Sequence, residues 1–165
     1  MDQRTLILGS GNSTLGEEMY EAGWTNITSI DFSDVAIESA QQRAPHMEWR
    51  TMDATELSKH FAPGSFDLVI DKGLLDSMHL VGDRGKEPIE QIAKGIQKVL
   101  APGTGRFVWL SLSSPSVWSA EHAELTECGW GSTEARRLEA SYLYVYCARE
   151  VRRMTARLGV KRRRR

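Results

Sequence analysis

The chain has 165 residues, of which 41% are apolar and 26% charged, and its formal net charge is −1. This length fits one domain with a hydrophobic core and is too short for two. Two cysteines, Cys128 and Cys147, are too few for a disulfide framework and predict reduced thiols in an intracellular protein. We predict neither a membrane span nor a secretory signal, because no apolar stretch approaches the roughly 18 residues that a span needs and no leader opens the chain.

Charge is distributed unevenly along the chain. Residues 150–165 contain eight Lys or Arg and one Glu, and the last five residues are all basic. The 149 residues before them carry 13 basic and 21 acidic side chains. We therefore expect an acidic domain, 1–149, followed by a flexible basic tail, 150–165. The tail is interpreted either as a solvated end or as a contact for nucleic acid or a nuclear address.

Strand and helix patterns alternate along most of the chain. Predicted strands cover residues 5–8, 27–30, 47–52, 66–70 and 106–112. Helical periodicity predicts a helix that begins with a Thr14–Glu17 capping box and ends at Gly23, one that runs from a Ser33 cap to about Arg43, and one with an apolar stripe over residues 89–100. Residues 76–87, after the fourth strand, are predicted to form a mobile loop at the ligand end of the sheet.

The alternation changes near the end of the chain. A short helix over residues 120–128 is followed by strands over 132–138 and 142–148, which are too close in sequence for a crossover helix and should pair antiparallel. The elements together predict an α/β fold with a doubly wound, mostly parallel, seven-stranded sheet. One antiparallel strand of that sheet belongs to the C-terminal hairpin.

A glycine-rich turn, Gly9-Ser10-Gly11-Asn12, follows the first strand. The glycines allow a sharp turn and bring backbone amides close to a ligand, although a glycine pair alone is equally typical of an ordinary turn. Asp31 ends the second strand, 20 residues beyond Gly11, where a carboxylate can accept hydrogen bonds from both hydroxyls of a ribose. The turn and the acid together predict a nucleotide-type site.

Three such sites begin with a strand and a glycine turn. A phosphate-binding Walker loop is excluded because no lysine occurs between Gly9 and Lys59. A dinucleotide fold needs a third glycine, and Thr14 occupies that position. S-adenosylmethionine fits better because it has no phosphates, so the turn need only pass close to its methionine moiety and sugar.

The third strand supports an adenosine site. It ends at Asp53-Ala54, where the carboxylate can accept the exocyclic amine of adenine and the neighbouring backbone can hold the ring edge. Phe32, directly after the ribose acid, can cover one face of the base. Each residue also has a plain alternative, since Asp53 could cap a helix and Phe32 could lie in the core. Their occurrence on consecutive strand ends favours the cofactor site.

Three segments, residues 8–13, 26–33 and 65–76, carry a family resemblance that covers essentially residues 4–149. With these segments the chain resembles the seven-stranded class I S-adenosylmethionine-dependent methyltransferases of Rossmann-like fold. Within that class it is most similar to the methyltransferase-like protein-lysine methyltransferases, several of which modify translation elongation factor 1-alpha. The more specific signals are Asn12-Ser13 after the glycine pair and Asp-Lys-Gly-x-x-Asp over residues 71–76.

This resemblance implies methyl transfer from S-adenosylmethionine to a protein lysine, with S-adenosylhomocysteine as the product, and no metal site. The implied cofactor-binding residues are Gly9, Ser10, Gly11, Asn12, Asp31, Phe32, Asp53, Ala54 and Asp71. Asp71 would sit beside the transferred methyl, where a carboxylate can orient the lone pair of an unprotonated acceptor amine, and it is the predicted catalytic residue. Lys72 is interpreted as a partner of Asp76 or as a surface lysine, and His79 as an ordinary polar residue rather than a base.

The acidic domain favours a protein substrate with a basic surface, for which the resemblance names elongation factor 1-alpha, in the cytoplasm. A small-molecule acceptor is the alternative, because the fold does not determine the acceptor. Relatives have a helical segment before the first strand that closes over both ligands, whereas three residues precede Arg4 here. This difference leaves a third interpretation, a cofactor-binding but inactive partner subunit. Contact with a membrane is not expected.

Overall fold

The computed structural model describes residues 2–112, 114, 132–137 and 142–147. The strands are β1 Thr5–Leu8, β2 Ile27–Asp31, β3 Glu48–Thr51, β4 Leu68–Lys72, β5 Arg106–Ser111, β6 Ser132–Arg137 and β7 Tyr142–Cys147. The α-helices in this part of the chain are α1 Leu15–Glu21, α2 Asp34–Arg43, α3 Leu57–His60, α4 Leu74–His79 and α5 Lys86–Val99. Among them, none is both long and apolar enough to cross a bilayer. The predicted helix over 120–128 and the tail over 150–165 lie outside the described residues, as does Cys128.

The strands form a single seven-stranded sheet in the order β3-β2-β1-β4-β5-β7-β6. The first five strands in this order pair parallel, and β7 pairs antiparallel with both β5 and β6. The predicted C-terminal hairpin and the predicted fold class are therefore confirmed. The order reverses between β1 and β4, which is where open α/β sheets bind ligands.

Helices cover both faces of the sheet. Alternate residues of a strand point to opposite faces, so Leu6 and Leu8 pack in one apolar cluster with α5, whereas Ile7 packs in another with α1. In β4, Val69 joins the first cluster and Ile70 the second. This two-sided burial explains why the central strands have continuous apolar sequences.

Helix ends follow the predicted signals at some positions and not at others. The Ser33 hydroxyl accepts a hydrogen bond from the Ala36 amide at 3.3 Å, which confirms the predicted cap of α2. The Thr14–Glu17 capping box is wrong, because the Thr14 hydroxyl instead donates to Glu18 Oε1 at 2.6 Å. The apolar stripe predicted over 89–100 is confirmed as the buried face of α5.

The segment 76–87 is not the predicted loop. Its first residues belong to α4, a 3-10 turn covers Gly82–Gly85, and α5 begins at Lys86. A Cβ atom at Gly85 would lie 2.1 Å from the Met78 carbonyl oxygen, so this turn packs against α4 in a way that only glycine allows. The segment is therefore a compact helical cap at the ligand end of the sheet.

Candidate functional site

A pocket lies at the carboxyl ends of β1, β2 and β3, where the loops after these strands meet α4. Together with the open space at its mouth it measures about 460 Å³. Its lining residues are Gly9, Asp31, Phe32, Met52, Asp53, Ala54, Leu74 and Met78. Five of these were predicted, and the structure brings them together because adjacent parallel strands end at the same edge of the sheet.

The glycine-rich turn is packed tightly against α4. Gly9 has a φ of +58° and Gly11 a φ of +49°, a left-handed conformation that side chains other than glycine rarely adopt. A Cβ atom at Gly9 would also lie 2.8 Å from Leu74 Cβ, whereas one at Gly11 would lie 4.0 Å from the nearest atom, the Gly9 carbonyl oxygen. Gly9 is therefore required both by the turn and by the close approach of α4.

Asp31 connects the glycine turn to the start of α2. Its side chain is nearly buried and accepts the Gly11 amide at Oδ2 (2.8 Å) and the Ser33 amide at Oδ1 (2.9 Å). The spacing of 20 residues between Gly11 and Asp31 thus corresponds to a direct hydrogen bond. Since each carboxylate oxygen has two lone pairs, each can accept one further donor from the pocket.

Asp53 and Phe32 line the pocket beside Asp31. The Asp53 carboxylate accepts the amide and the hydroxyl of Thr55, both at Oδ1 and both at 2.8 Å, and so it caps the 3-10 turn Ala54–Glu56. Asp53 therefore caps a helix, as its alternative interpretation had it, and also faces the pocket. Phe32 is 77% exposed, which excludes the interpretation of Phe32 as a core residue.

Ser10 and Asn12 are in the turn but are not among the residues that line the pocket. The Ser10 side chain is buried, and its amide donates to the Ile30 carbonyl oxygen at 3.0 Å, which ties the turn to β2. Asn12 is exposed on the outside of the turn. Their predicted contacts with a cofactor remain predictions.

Asp71 lies in β4, one residue before its end, and is not among the residues that line the pocket. Its side chain is fully buried, and its two oxygens accept the Leu74 amide (2.8 Å) and the Leu75 amide (2.9 Å) at the start of α4. Burial raises the pKa of Asp71 to about 7, against the lowering effect of these two hydrogen bonds. The nearby charge of Asp76 also raises this pKa, and that of Lys72 lowers it.

Asp76 makes contacts that the sequence did not predict. Its oxygens accept the Ser111 hydroxyl and the Leu112 amide, each at 2.7 Å, at the end of β5. Lys72 is exposed on β4. Because the Asp76 carboxylate is turned towards β5, the interpretation of Lys72 as a surface lysine agrees with the structure.

The family of the chain follows from comparison with known proteins. A sequence profile of the family described as "Methyltransferase domain" matches residues 2–140. The chain belongs to this methyltransferase family. Among named relatives, a Mus musculus protein called EEF1A lysine methyltransferase 4 is 35% identical over 133 residues, which are 74% of this chain and 51% of that protein. The eEF1A lysine and N-terminal methyltransferase of Xenopus laevis is 36% identical over 132 residues, 77% of this chain and 19% of that protein.

This methyltransferase chain thus spans about half the length of the first relative. Among solved structures, a TehB-like SAM-dependent methyltransferase from Corynebacterium glutamicum has a TM-score of 0.66 at 16% identity and covers 90% of this chain and 82% of its own. The N-methyltransferase NodS from Bradyrhizobium japonicum has a TM-score of 0.61 at 20% identity, with 88% and 85% covered. These structures support the fold, and the family implies S-adenosylmethionine as the methyl donor.

The pocket of this methyltransferase fits the adenosine part of that donor. Two carboxylates, Asp31 and Asp53, stand on neighbouring strand ends, and the Met52 amide between them donates to the Asp31 carbonyl oxygen at 2.8 Å. Apolar side chains of Met52, Leu74 and Met78 complete the walls. A purine has two apolar faces and a polar edge, so a pocket with apolar walls and a carboxylate at the edge suits it.

The sequence did not identify Leu74 and Met78 as walls of the methyltransferase pocket. These residues are four apart on α4, so they project from the same face of the helix. Their spacing is a helical signal, but Met78 falls within residues 76–87, which the sequence predicts as a loop. His79, which ends α4, is not among the residues lining the pocket in the described chain.

Proposed function

We propose that this methyltransferase transfers a methyl group from S-adenosylmethionine to a lysine side chain of eEF1A. The observation that carries the proposal is the pocket in which Gly9, Asp31, Phe32 and Asp53 meet, because two carboxylates and an aromatic ring side by side are what we expect a ribose and an adenine to need. The names of the two relatives supply the acceptor. We also propose a cytoplasmic location, because the proposed acceptor is a translation factor.

The cofactor contacts follow from the free lone pairs of the pocket. Asp31 would accept one ribose hydroxyl at each carboxylate oxygen in addition to the backbone amide that each already accepts. Asp53 Oδ1 is engaged with Thr55, so Oδ2 would accept the adenine amine. Phe32 would cover a face of the base, since its ring is exposed at the pocket.

Placement of the donor and the acceptor supplies most of the rate in an in-line methyl transfer. The glycine turn and the start of α4 border the pocket where β1 and β4 end, so the methyl group would lie near Leu74. The prediction that Asp71 orients the acceptor amine remains a proposal. Both of its oxygens face the amides of α4 in this structure, and we expect Asp71 to act chiefly by holding that helix.

The acceptor would approach an acidic protein. Residues 1–149 carry 21 acidic and 13 basic side chains, which attract a substrate with a basic surface and speed its association at low salt. Basic residues beside the acceptor lysine would form such a surface. Raising the salt concentration should therefore slow methylation of a protein more than it weakens cofactor binding.

The test is transfer of labelled methyl groups into a cell lysate and into purified eEF1A. We expect label in one protein band, mapped by mass spectrometry to a lysine of eEF1A, and no label with Asp31→Ala. Asp67→Ala is the matched control, because this carboxylate binds Arg4 at the opposite end of β4. Label confined to small molecules would refute the protein acceptor, and label in another protein would refute eEF1A. Cofactor binding without any transfer would indicate the inactive partner subunit.

A further inference from the structure

The helix α4 separates the cofactor pocket from the end of β5. Leu74 and Met78 project from one face of α4 into the pocket, while Leu75 is fully buried in the apolar core. Asp76 lies on the face turned towards β5, and its carboxylate accepts the Ser111 hydroxyl and the Leu112 amide at 2.7 Å. These short bonds to a charged acceptor are of the stronger kind.

We expect the acceptor to approach on the side of the pocket where the end of β5 lies. The pocket occupies the ends of β1, β2 and β3, so the ends of β4 and β5 form the remaining part of the same edge of the sheet. The apolar side chains of Leu80 and Leu112 are 84% and 76% exposed there. Both connect to Asp76, since the Leu80 amide donates to the Asp76 carbonyl oxygen at 3.2 Å and the Leu112 amide to its carboxylate.

We propose that Asp76 is a positioning residue for the acceptor. By holding Ser111–Leu112 against α4, it fixes the position of the acceptor side relative to the helix that lines the cofactor pocket. This inference deepens the proposed function and rests on it. Asp76 does not touch the pocket, so its removal should weaken use of the acceptor and leave the cofactor bound. Asp71, which holds the start of α4, should affect both.

The experiment compares Asp76→Ala with Asp76→Asn, Ser111→Ala and the distant control Asp67→Ala. For each variant we measure the dissociation constant of S-adenosylhomocysteine by calorimetry, kcat and KM with purified eEF1A, and hydrogen exchange at the Leu112 amide by NMR. In Asp76→Ala we expect a KM for the acceptor at least tenfold higher, Leu112 exchange at least tenfold faster, and cofactor affinity within threefold of wild type. Ser111→Ala removes one of the two bonds and should give a smaller change in KM.

Asp76→Asn should have a KM close to that of wild type and well below that of Asp76→Ala. The reason is that an amide oxygen can accept the Leu112 amide and its NH₂ can donate to the Ser111 hydroxyl. A wild-type KM in Asp76→Ala, or a KM change equal to that of Asp67→Ala, would overturn the inference while the proposed function stands. If the wild type methylates no protein, the proposed function fails instead. The inference is then decided by amide exchange, and wild-type exchange at Leu112 in Asp76→Ala would overturn it.

Discussion

Two pairs of aspartates stand at the same edge of the sheet and are used differently. Asp31 and Asp53, at the ends of β2 and β3, are among the residues that line the pocket. Asp71 in β4 and Asp76 in α4 turn their oxygens to backbone amides and a hydroxyl that hold α4 in place. We therefore expect the aspartates of one half of the edge to bind the ligand, whereas those of the other half hold α4. Substitutions in the two halves should separate binding from stability.

Asp71→Ala should have the largest effect on stability. It leaves the buried amides of Leu74 and Leu75 without an acceptor, at a cost of about 1–3 kcal/mol for each unpaired group. We expect the melting temperature and the affinity for S-adenosylhomocysteine to fall together, since Leu74 lines the pocket. Calorimetric unfolding and titration measure the two effects. A stable variant with normal cofactor affinity and a turnover lower by roughly a hundredfold would instead support the amine-orienting role of Asp71.

The cofactor half of the sheet edge meets the α4 half where Gly9 packs against Leu74, and substitutions in the glycine turn test this contact. Gly9→Ala combines a left-handed backbone with a Cβ 2.8 Å from Leu74 Cβ, so we expect a loss of about 2–4 kcal/mol in the free energy of unfolding and weaker cofactor binding. Gly11→Ala is the matched control, because it shares the left-handed backbone and meets only an atom 4.0 Å away. It should cost about 1–2 kcal/mol. Equal losses in the two variants would show that α4 does not constrain the turn.

The pH dependence of stability tests the burial of Asp71. Its pKa of about 7 in the folded protein lies above the value in the unfolded chain, so the folded state holds the proton more tightly. The resulting stabilisation is complete below the unfolded pKa and is lost as the pH rises through about 7. In urea unfolding between pH 5 and 8, wild type should lose about 2 kcal/mol relative to Asp71→Asn, which cannot titrate. A difference independent of pH would contradict this assignment.

Phe32→Ala should have the smallest effect, and it is confined to binding. The ring is 77% exposed, so its removal should leave the melting temperature unchanged, while a lost stacking contact should raise the dissociation constant of S-adenosylhomocysteine about threefold to tenfold. Val35→Ala, a residue 76% exposed on α2 outside the pocket lining, is the control and should change neither quantity. An unchanged affinity in Phe32→Ala would place the base elsewhere.

The cofactor half of the edge could be predicted from the sequence because its contacts follow local patterns. A short apolar strand, a glycine turn and an acid after the next strand predict one site, and the structure places Gly9 and Asp31 in the lining of one pocket. The hydrogen bond from the Gly11 amide to Asp31 was not predicted. The α4 half could not be predicted in the same way. Leu74 and Met78 give a single helical spacing, and six residues are too few to repeat it, so the sequence predicts a loop over most of α4.

The partners of Asp76 are 35 and 36 residues away in sequence, and no local pattern indicates a contact at that distance. The direction in which the Asp71 carboxylate points could not be predicted from the sequence either. Gly73 has a φ of +92° and turns the chain so that the amides of Leu74 and Leu75 point back towards the end of β4. An acid at a strand end can face a ligand or the protein, and the turn that follows it decides which.

The most direct test is calorimetric titration of S-adenosylmethionine into wild type and Asp31→Ala, with unfolding curves to establish that the variant is folded. We predict a single site in wild type and a loss of about 2–4 kcal/mol of binding free energy in the variant, because a pair of hydrogen bonds to a charged acceptor is removed. By the usual conversion this is a roughly 30-fold to 1,000-fold higher dissociation constant. A folded Asp31→Ala protein with near-normal affinity would contradict the placement of the cofactor.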